Sequence, residues 1–286
     1  MTRTIGFLTS DEVGLAEDDR RLVAPLERRG FKIVPLVWDA APPAEPPAAI
    51  VVRSCWDYHR KQAAFKRWLA AAEQGPVPVW NPPAVLRWNL DKHYLRDLAA
   101  RGVAIPRTVF VPQGAATSLA ALLDEHGLAE VVVKPAVSLS AYRTWRSDPG
   151  QAGAHQAEFA ALLADGAALV QGFVPEVLTA GELSLVFVER EFSHAVRKRP
   201  RAGDFRVQMD HGGTREPYTP PAWMITRAAA CLDAVPGPLL YARVDGFEVD
   251  GELVLMELEL LDPVLFFGVE PAAAERMAAA IAARLG

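Results

Sequence analysis

The sequence predicts a protein of mixed α/β and α+β structure, with three units in order along the chain. The first third alternates strand and helix patterns, which is typical of a parallel sheet. The middle third has further strand–helix pairs, and the last third is rich in strand patterns. With 286 residues, 51% of them hydrophobic, the chain can form two or three cores. We expect an N-terminal parallel-sheet unit over 1–82, a small α+β lid over 83–172 and a strand-rich unit over 173–286.

The predicted N-terminal unit begins with a short apolar strand and continues through two more. An amphipathic helix follows the first strand, and Gly30 stands where its C-cap is expected. The proline-rich stretch 41–47 is predicted as a surface crossing, because proline suits neither helix nor strand interiors. The predicted elements are strand 5–8, helix 17–29, strand 31–38, strand 50–52 and helix 61–74.

The rest of the chain is predicted as a lid, a set of paired strands and a terminal helix. Alanine-rich helical spacing after Pro271 indicates the terminal helix, since proline is favoured in a first helical turn. The predicted lid contains a helix that includes Lys92 and ends at Gly102, strand 108–111, helix 118–126, strand 131–134, segment 143–146, helix 155–164 and strand 168–170. The later strands are predicted over 182–189, 192–198, 242–249 and 252–260.

Charge and cysteine content limit the class of protein. A net charge of -5 argues against nucleic acid as a partner, and the basic run 197–199 is too short to reverse that balance. Charged residues or prolines interrupt every apolar run, so no membrane partner is expected. The N-terminus lacks a signal-peptide pattern, and Cys55 and Cys231 lie far apart, so we expect reduced thiols in a cytoplasmic protein. Assembly into a homo-oligomer is left open.

Three carboxylates form the strongest candidate site. Asp245 lies on one predicted strand, and Glu257 and Glu259 share a face of the next, because side chains two apart on a strand point the same way. Oxygen ligands of this kind suit Mg²⁺, with Mn²⁺ as the alternative ion. An acidic solvent face on an amphipathic hairpin is the competing interpretation.

The predicted hairpin turn, Asp250-Gly251, bears directly on this site. A strict two-residue turn would pair Asp245 with Met256 and would turn Glu257 to the opposite face of the sheet. The carboxylates can therefore converge only if the hairpin is irregular, and we expect the irregularity between Val249 and Leu255.

Several other residues are candidates for binding an anionic nucleotide. Lys134 ends an apolar strand, where a lysine can reach a ligand phosphate. Arg243 lies within another apolar strand, close to the candidate metal ligand Asp245, and a buried arginine is rare without an anionic partner. Lys92 and Lys198 are ambiguous alone, since each can simply be solvated. The segment 171–176 runs from an apolar strand into a Gly/Pro connector, which can offer backbone groups to an adenine edge.

A small polar substrate is expected to meet the end of the strand 50–52, because ligands bind at the carboxyl edge of open parallel sheets. His194, in a strand beside the proposed nucleotide, is the only histidine considered for substrate contact. The candidates that follow the N-terminal strand are Ser54, Trp56, Asp57 and Tyr58.

In this order along nearly the whole chain, the motifs resemble the ATP-grasp superfamily. The landmarks are Lys92, Lys134-Pro135, 171–176, Gly181-Glu182, Arg243-Val244-Asp245, and 257–259 followed by Pro263. The resemblance implies that Lys92, Lys134 and Gln171 contact ATP, that Phe173 and Val174 offer main-chain groups to adenine, and that Glu182 binds ribose. It also implies that Lys198 and Arg243 stabilise the transferred phosphoryl group, and that Asp245, Glu257 and Glu259 hold Mg²⁺.

Within this superfamily the chain is most similar to the glutathione synthetase/RimK-like branch and to the cyclo-ligases that form D-cycloserine. The residues that carry this closer resemblance are 53–58, 88–92, 192–196 and 203–207. Two departures stand out. Many relatives have Asn where this chain has Glu259, and the loop 136–141 lacks the glycines that usually let a backbone approach phosphates.

The resemblance implies a ligase that uses ATP to activate a carboxylate as an acyl phosphate, which an amine then attacks. The substrate is expected to be a small amino-acid derivative that supplies the carboxylate and the amine, by ring closure or by joining two molecules. An ATP-dependent small-molecule kinase and an ATP-binding module without turnover remain as alternatives.

Overall fold

The computed structural model describes residues 3–286, and its first unit is a four-stranded parallel sheet in the order β2-β1-β3-β4. Strands β1 and β3 lie in the middle of the sheet and are apolar and almost fully buried, as parallel strands covered on both faces must be. The elements are β1 (Arg3–Thr9), α1 (Glu17–Arg20), α2 (Val23–Glu27), β2 (Phe31–Val37), β3 (Ala49–Ser54), α3 (Gln62–Gln74) and β4 (Val79–Trp80).

The single helix predicted over 17–29 is in fact two short helices, α1 and α2, which meet at Arg21 and Leu22. Pro25 explains the break. A continuous helix would need the Pro25 N–H to bond the Arg21 carbonyl, but proline has no N–H and its ring clashes with that carbonyl. Gly30 follows with a φ of 82°, the left-handed conformation expected after a helix end.

The lid is a four-stranded antiparallel sheet in the order β5-β8-β6-β7, preceded by two helices. Leucines spaced along α6 and α7 pack with Phe159 against the apolar side chains of the sheet, which gives the lid its own core. The elements are α4 (Pro83–Asn89), α5 (Tyr94–Ala99), β5 (Thr108–Val111), α6 (Leu119–Glu125), β6 (Val131–Pro135), β7 (Trp145–Ser147), α7 (Gln156–Asp165) and β8 (Ala168–Gly172).

The third unit is a five-stranded antiparallel sheet in the order β11-β10-β9-β12-β13. Helix α9 was missed in the sequence, although Met224, Ala228 and Cys231 recur at helical spacing after Pro221 and are all buried. The elements are α8 (Glu176–Thr179), β9 (Glu182–Val188), β10 (Glu191–Arg199), β11 (Thr214–Tyr218), α9 (Ala222–Asp233), β12 (Tyr241–Val249), β13 (Glu252–Glu259) and α10 (Pro271–Leu285).

The two faces of the third sheet have different roles. Helices α4, α5 and α9 cover one face and form an apolar core that includes Leu185, Phe187 and Val244. On the other face, Val186 and Tyr241 pack beneath α10 and the first sheet, but only at one end. The other end of that face is polar and opens towards the lid. Helices α4 and α5, which belong to the predicted lid, therefore pack on the third sheet. The domain limits at 82 and 172 stay a prediction.

Within residues 3–286, no helix is both long enough and apolar enough to cross a membrane.

Candidate active site

The hairpin formed by β12 and β13 is irregular, but not where the sequence placed the irregularity. Asp250 and Gly251 form a regular two-residue turn with φ values of 51° and 79°, and Val249 pairs with Glu252. The register shifts further along, where Gly246 pairs with Leu255 and Asp245 pairs with Glu257. The predicted location between Val249 and Leu255 is therefore wrong, because the bulge lies at Met256.

This bulge brings the polar residues of both strands to one face. Asp245 lies opposite Glu257, and Arg243 lies opposite Glu259. The face borders a cleft of about 730 Å³ between the third sheet and the lid. All eleven residues predicted to bind ATP, the phosphoryl group or metal line this cleft: Lys92, Lys134, Gln171, Phe173, Val174, Glu182, Lys198, Arg243, Asp245, Glu257 and Glu259.

Arg243 is buried and is held by two carboxylates of the cleft. Its Nη2 lies 2.8 Å from Asp245 Oδ2, its Nε lies 3.0 Å from Asp245 Oδ1, and it also bonds Glu259. Its Nη1 donates to the Val264 carbonyl at 2.9 Å. Burial opposes the charged guanidinium, but the two carboxylates outweigh it and raise the pKa of Arg243 further. Arg243 is thus a fixed cation pointing into the cleft.

Lys198 lies beside Arg243 and shares its carboxylate partner. Its Nζ pairs with Glu182 and lies 3.5 Å from Asp245 Oδ2. Asp245 also accepts a hydrogen bond from the Ser184 hydroxyl. Burial opposes ionisation of Asp245, but Arg243 and Lys198 outweigh it and hold the pKa of Asp245 at about 2. Asp245 therefore remains a carboxylate at neutral pH.

Two lysines from outside the third sheet meet Glu257. Lys134 Nζ lies 3.5 Å from Glu257 Oε1, and Lys92 Nζ lies 3.9 Å from the same oxygen. Burial lowers the pKa of Lys134, with Glu257 opposing this effect and Lys92 adding to it. Burial would raise the pKa of Glu257, but the two lysines overcome it and lower that pKa. An ATP phosphate entering here would meet two closely spaced cations.

The carboxylates fit part of a Mg²⁺ shell but not a complete one. Within residues 3–286, no three His, Cys, Asp or Glu side chains are arranged to hold a metal ion by themselves. Asp245, Glu257 and Glu259 are instead each paired with a cation. Mg²⁺ usually takes one or two protein carboxylates and completes its shell with water and substrate phosphates. The donor set suits that arrangement, with ATP as the source of the remaining oxygens.

The end of the cleft that is predicted to hold adenine is formed by β8 and the connector after it. Gln171 is fully buried and donates to the Thr108 hydroxyl at 3.0 Å, while its Oε1 has no hydrogen-bond partner among the described residues. The Phe173 N–H donates to the Glu130 carbonyl at 2.9 Å, so only its carbonyl can serve adenine. The Val174 N–H remains as an available donor, and the main-chain contacts of both residues with adenine stay a prediction.

The loop 136–141 lacks glycine but adopts a backbone that glycine favours. Ser140 and Ala141 have φ values of 48° and 56°, in the left-handed region that costs an L-residue about 1–2 kcal/mol. Lys92 Nζ donates to the Ser138 carbonyl at 2.9 Å and to its hydroxyl at 3.1 Å. Strained backbone of this kind is concentrated at ligand sites. Ser138 and Ser140 both line the cleft.

The predicted substrate residues divide into two groups. Trp56 and Tyr58 line the cleft, where they face the third sheet from the N-terminal unit. Ser54 does not, because it still lies within β3 and donates to buried Asp19 at 2.9 Å. Asp57 does not either, because its carboxylate accepts from the indole of Trp38 and pairs with Lys61, each at 2.7 Å.

His194 is also not a cleft residue, which corrects its predicted role. Its Nε2 lies 2.9 Å from the Leu265 carbonyl and its Nδ1 lies 3.0 Å from the Ser193 hydroxyl. A carbonyl can only accept, so the Nε2 carries the proton. The segment around Leu265 covers this histidine, and burial lowers its pKa to about 4.

The cleft residues that the sequence analysis does not predict include two arginines from distant parts of the chain. Arg20 lies at the end of α1 and Arg215 lies on β11, and both are exposed side chains that line the cleft. Arg20 follows three acidic residues in a helix, a pattern typical of a solvated surface. Arg215 belongs to a short edge strand with no apolar alternation. Neither carries a sequence signal, because their position depends on how distant segments pack.

An antiparallel lid that closes on a strand-rich unit lined by lysines and carboxylates defines an ATP-grasp enzyme, an ATP-dependent carbon–nitrogen ligase. The crystal structure of D-cycloserine synthetase DcsG superposes with a TM-score of 0.87 and 28% identity, covering 99% of this chain and 100% of that chain. D-alanine–D-alanine ligase from Bacillus anthracis has the same fold, with a TM-score of 0.72 and 16% identity over 99% of this chain and 98% of that chain.

Sequence comparison identifies the family. Residues 5–81 match the family model described as the N-terminal domain of D-cycloserine synthetase DcsG. The cycloserine biosynthesis protein DcsG of Streptomyces lavendulae is 34% identical over 259 residues, which cover 83% of each chain. The chain belongs to the DcsG family of ATP-grasp ligases. It is an ATP-dependent carboxylate–amine ligase, which confirms the resemblance drawn from the motifs.

Proposed function

We propose that this ligase acts on a small amino-acid derivative and closes a ring by joining the carboxylate to an amine of the same molecule. The cleft is the observation that carries the proposal. Its volume of about 730 Å³ lies within the ~300–1,000 Å³ of small-molecule sites. A nucleotide and one small substrate fit such a space. The relative named as a cycloserine biosynthesis protein supports the ring-forming class of substrate.

The residues of the cleft suit the two steps of this reaction. A carboxylate oxygen of the substrate attacks the γ-phosphorus of ATP, and the bond from that phosphorus to the β–γ bridging oxygen breaks to release ADP. Lys198 and Arg243 are held by carboxylates where they can neutralise charge on the transferred phosphoryl group. The amine nitrogen then attacks the acyl carbon, phosphate leaves and the nitrogen loses a proton. Closure of the lid excludes the water that would hydrolyse the acyl phosphate.

At the nucleotide end, the adenine would be held by Gln171, Val174 and the Phe173 carbonyl. Glu182 would bind the ribose. Lys92 and Lys134 would bind the phosphates. Of the carboxylates Asp245, Glu257 and Glu259, one or two would hold Mg²⁺ or, in its place, Mn²⁺, and ATP phosphates and water would complete the shell. The bound ion supplies positive charge that neutralises the phosphate oxygens. Trp56 and Tyr58 would bound the substrate from the N-terminal unit.

Incubation with ATP, Mg²⁺ and a library of amino-acid derivatives tests the proposal. The library includes the aminooxy acid obtained by opening the D-cycloserine ring at its C–N bond. Mass spectrometry should find a product that equals one substrate minus water, together with ADP and phosphate. A product built from two substrates would contradict ring closure. A product that retains the phosphoryl group would indicate a kinase, and binding of ATP without turnover would indicate an inactive module.

A further inference from the structure

Arg215 lies beside the two cations of the phosphoryl-transfer site. It pairs directly with Lys198 across β10 and β11, so the two side chains share the cleft face of the sheet. Like charges directly opposite each other destabilise a sheet. The structure therefore holds a cation at a position where the fold alone disfavours one.

A single ring links Arg215 to Arg243. The Phe266 ring lies 5.7 Å from the Arg215 guanidinium carbon and 5.3 Å from that of Arg243. Asp18 holds the segment around this ring by accepting the N–H groups of Leu265 and Phe267 at 2.8 and 2.7 Å. Lys198, Arg243 and Arg215 thus lie together at one end of the cleft, and the Phe266 ring is close to both arginines.

The three cations differ in how their charge is balanced. Glu182 and Asp245 pair with Lys198, and Asp245 and Glu259 pair with Arg243. No carboxylate of residues 3–286 lies within 4.0 Å of the Arg215 guanidinium, which is exposed to the cleft. Arg215 is therefore the member of this group with an unmatched positive charge.

The chemistry of the first step requires such a charge. A substrate carboxylate must approach the γ-phosphoryl group, although both are anions, and their repulsion has to be offset. Arg215 is placed on the edge strand, on the far side of Lys198 from the metal carboxylates, and a guanidinium suits a carboxylate in a bidentate arrangement. We infer that Arg215 binds the acceptor carboxylate and positions it for phosphorylation, an inference that rests on the proposed function.

Steady-state kinetics of the variants Arg215→Gln and Arg215→Lys test this role. The substrate is the library compound with which the wild type releases ADP. Arg215→Gln should raise the KM for the acceptor at least tenfold and leave the KM for ATP within twofold. Arg215→Lys should recover part of the loss, because it keeps the charge but not the fork geometry. Arg227→Gln is the matched control, since Arg227 is an exposed arginine of α9 that pairs with Glu252 outside the cleft. A rise in the KM for ATP instead would assign Arg215 to the γ-phosphate and overturn the inference.

A binding experiment separates this inference from the proposed function, since it needs no turnover. D-Serine and D-serinamide are titrated into the protein saturated with Mg²⁺ and a non-hydrolysable ATP analogue. The wild type should bind the acid at least tenfold more tightly than the amide, and Arg215→Gln should lose that preference. Equal affinity of the wild type for both probes, or a preference that survives in Arg215→Gln, would overturn the role of Arg215. Failure of every library compound to release ADP would count against the proposed function alone.

Discussion

Asp245 lies directly opposite Glu257, although the two-residue turn between their strands would by itself pair Asp245 with Met256. The bulge at Met256 removes one residue from the ladder and so restores the face on which the carboxylates meet. β-Bulges are frequent beside active sites, where they redirect a side chain. Here the bulge decides whether the chain has a carboxylate cluster at all.

The first prediction removes one charge from this cluster. Glu257→Gln keeps the shape of the side chain but loses an anionic metal ligand, so Mg²⁺-dependent ADP release should fall at least about 100-fold. Thermal unfolding should remain cooperative. Glu252→Gln is the matched control, because Glu252 lies on the same strand but is exposed and pairs with Arg227. Near-normal turnover in Glu257→Gln would contradict the metal role.

The second prediction concerns Lys134, which is buried between Met256 and Glu257. Lys134→Met preserves most of the volume and removes the charge, so the Kd for ATP should rise at least tenfold in calorimetry. Lys66→Met, at an exposed position on α3, should leave ATP affinity unchanged and alter stability by under about 0.5 kcal/mol. Equal ATP affinity in the two variants would mean that Lys134 is only a structural strand-end lysine.

The third prediction tests the strain in the glycine-free loop. Ala141 has a φ of 56°, where glycine is favoured, so Ala141→Gly should leave the free energy of unfolding unchanged or raise it by up to about 1 kcal/mol. Ala161→Gly, at an exposed position within α7, should lower it by about 1 kcal/mol. The same substitution therefore should have different effects at the two sites, as measured by urea unfolding. Equal losses would show that the loop is not strained.

The fourth prediction is a pH dependence of stability. The pKa of His194 is lowered to about 4 by burial, against 6.5 for an unperturbed histidine. Below pH 6.5 the unfolded chain takes up a proton that the folded chain resists until pH 4. His194 therefore costs stability as the pH falls through this window, by up to ~3 kcal/mol. His194→Gln should lose less stability between pH 7 and pH 4.5 than the wild type does in denaturant unfolding.

His126→Gln serves as the control for this measurement, because His126 lies at the partly exposed C-terminal end of α6. It should follow the wild-type pH profile. If His194→Gln also followed that profile, His194 would not be the titrating group.

Local patterns were enough to predict most of the regular elements. Apolar runs predicted the central strands of the first sheet, and the position of Gly30 predicted where α2 ends. The helix break at Arg21 was missed, although Pro25 was a visible signal. Helix α9 is absent from the predicted elements, although Met224, Ala228 and Cys231 recur at helical spacing. Both signals, the proline and the helical spacing, are local features of the sequence.

The sequence by itself determined the order of the motifs, and through it the ATP-grasp family and eleven of the side chains that line the cleft. The tertiary structure decided the rest. The bulge at Met256 sets the register of the hairpin. Ser54 donates a hydrogen bond to Asp19, and Asp57 pairs with Lys61, so neither is free to bind a ligand. Arg215 lies beside Lys198 only because β11 pairs with β10. The physical reason is that the sheet face on which a side chain lies, and the partners that it contacts, depend on strand pairing and on packing between distant segments. Local periodicity does not specify either of these.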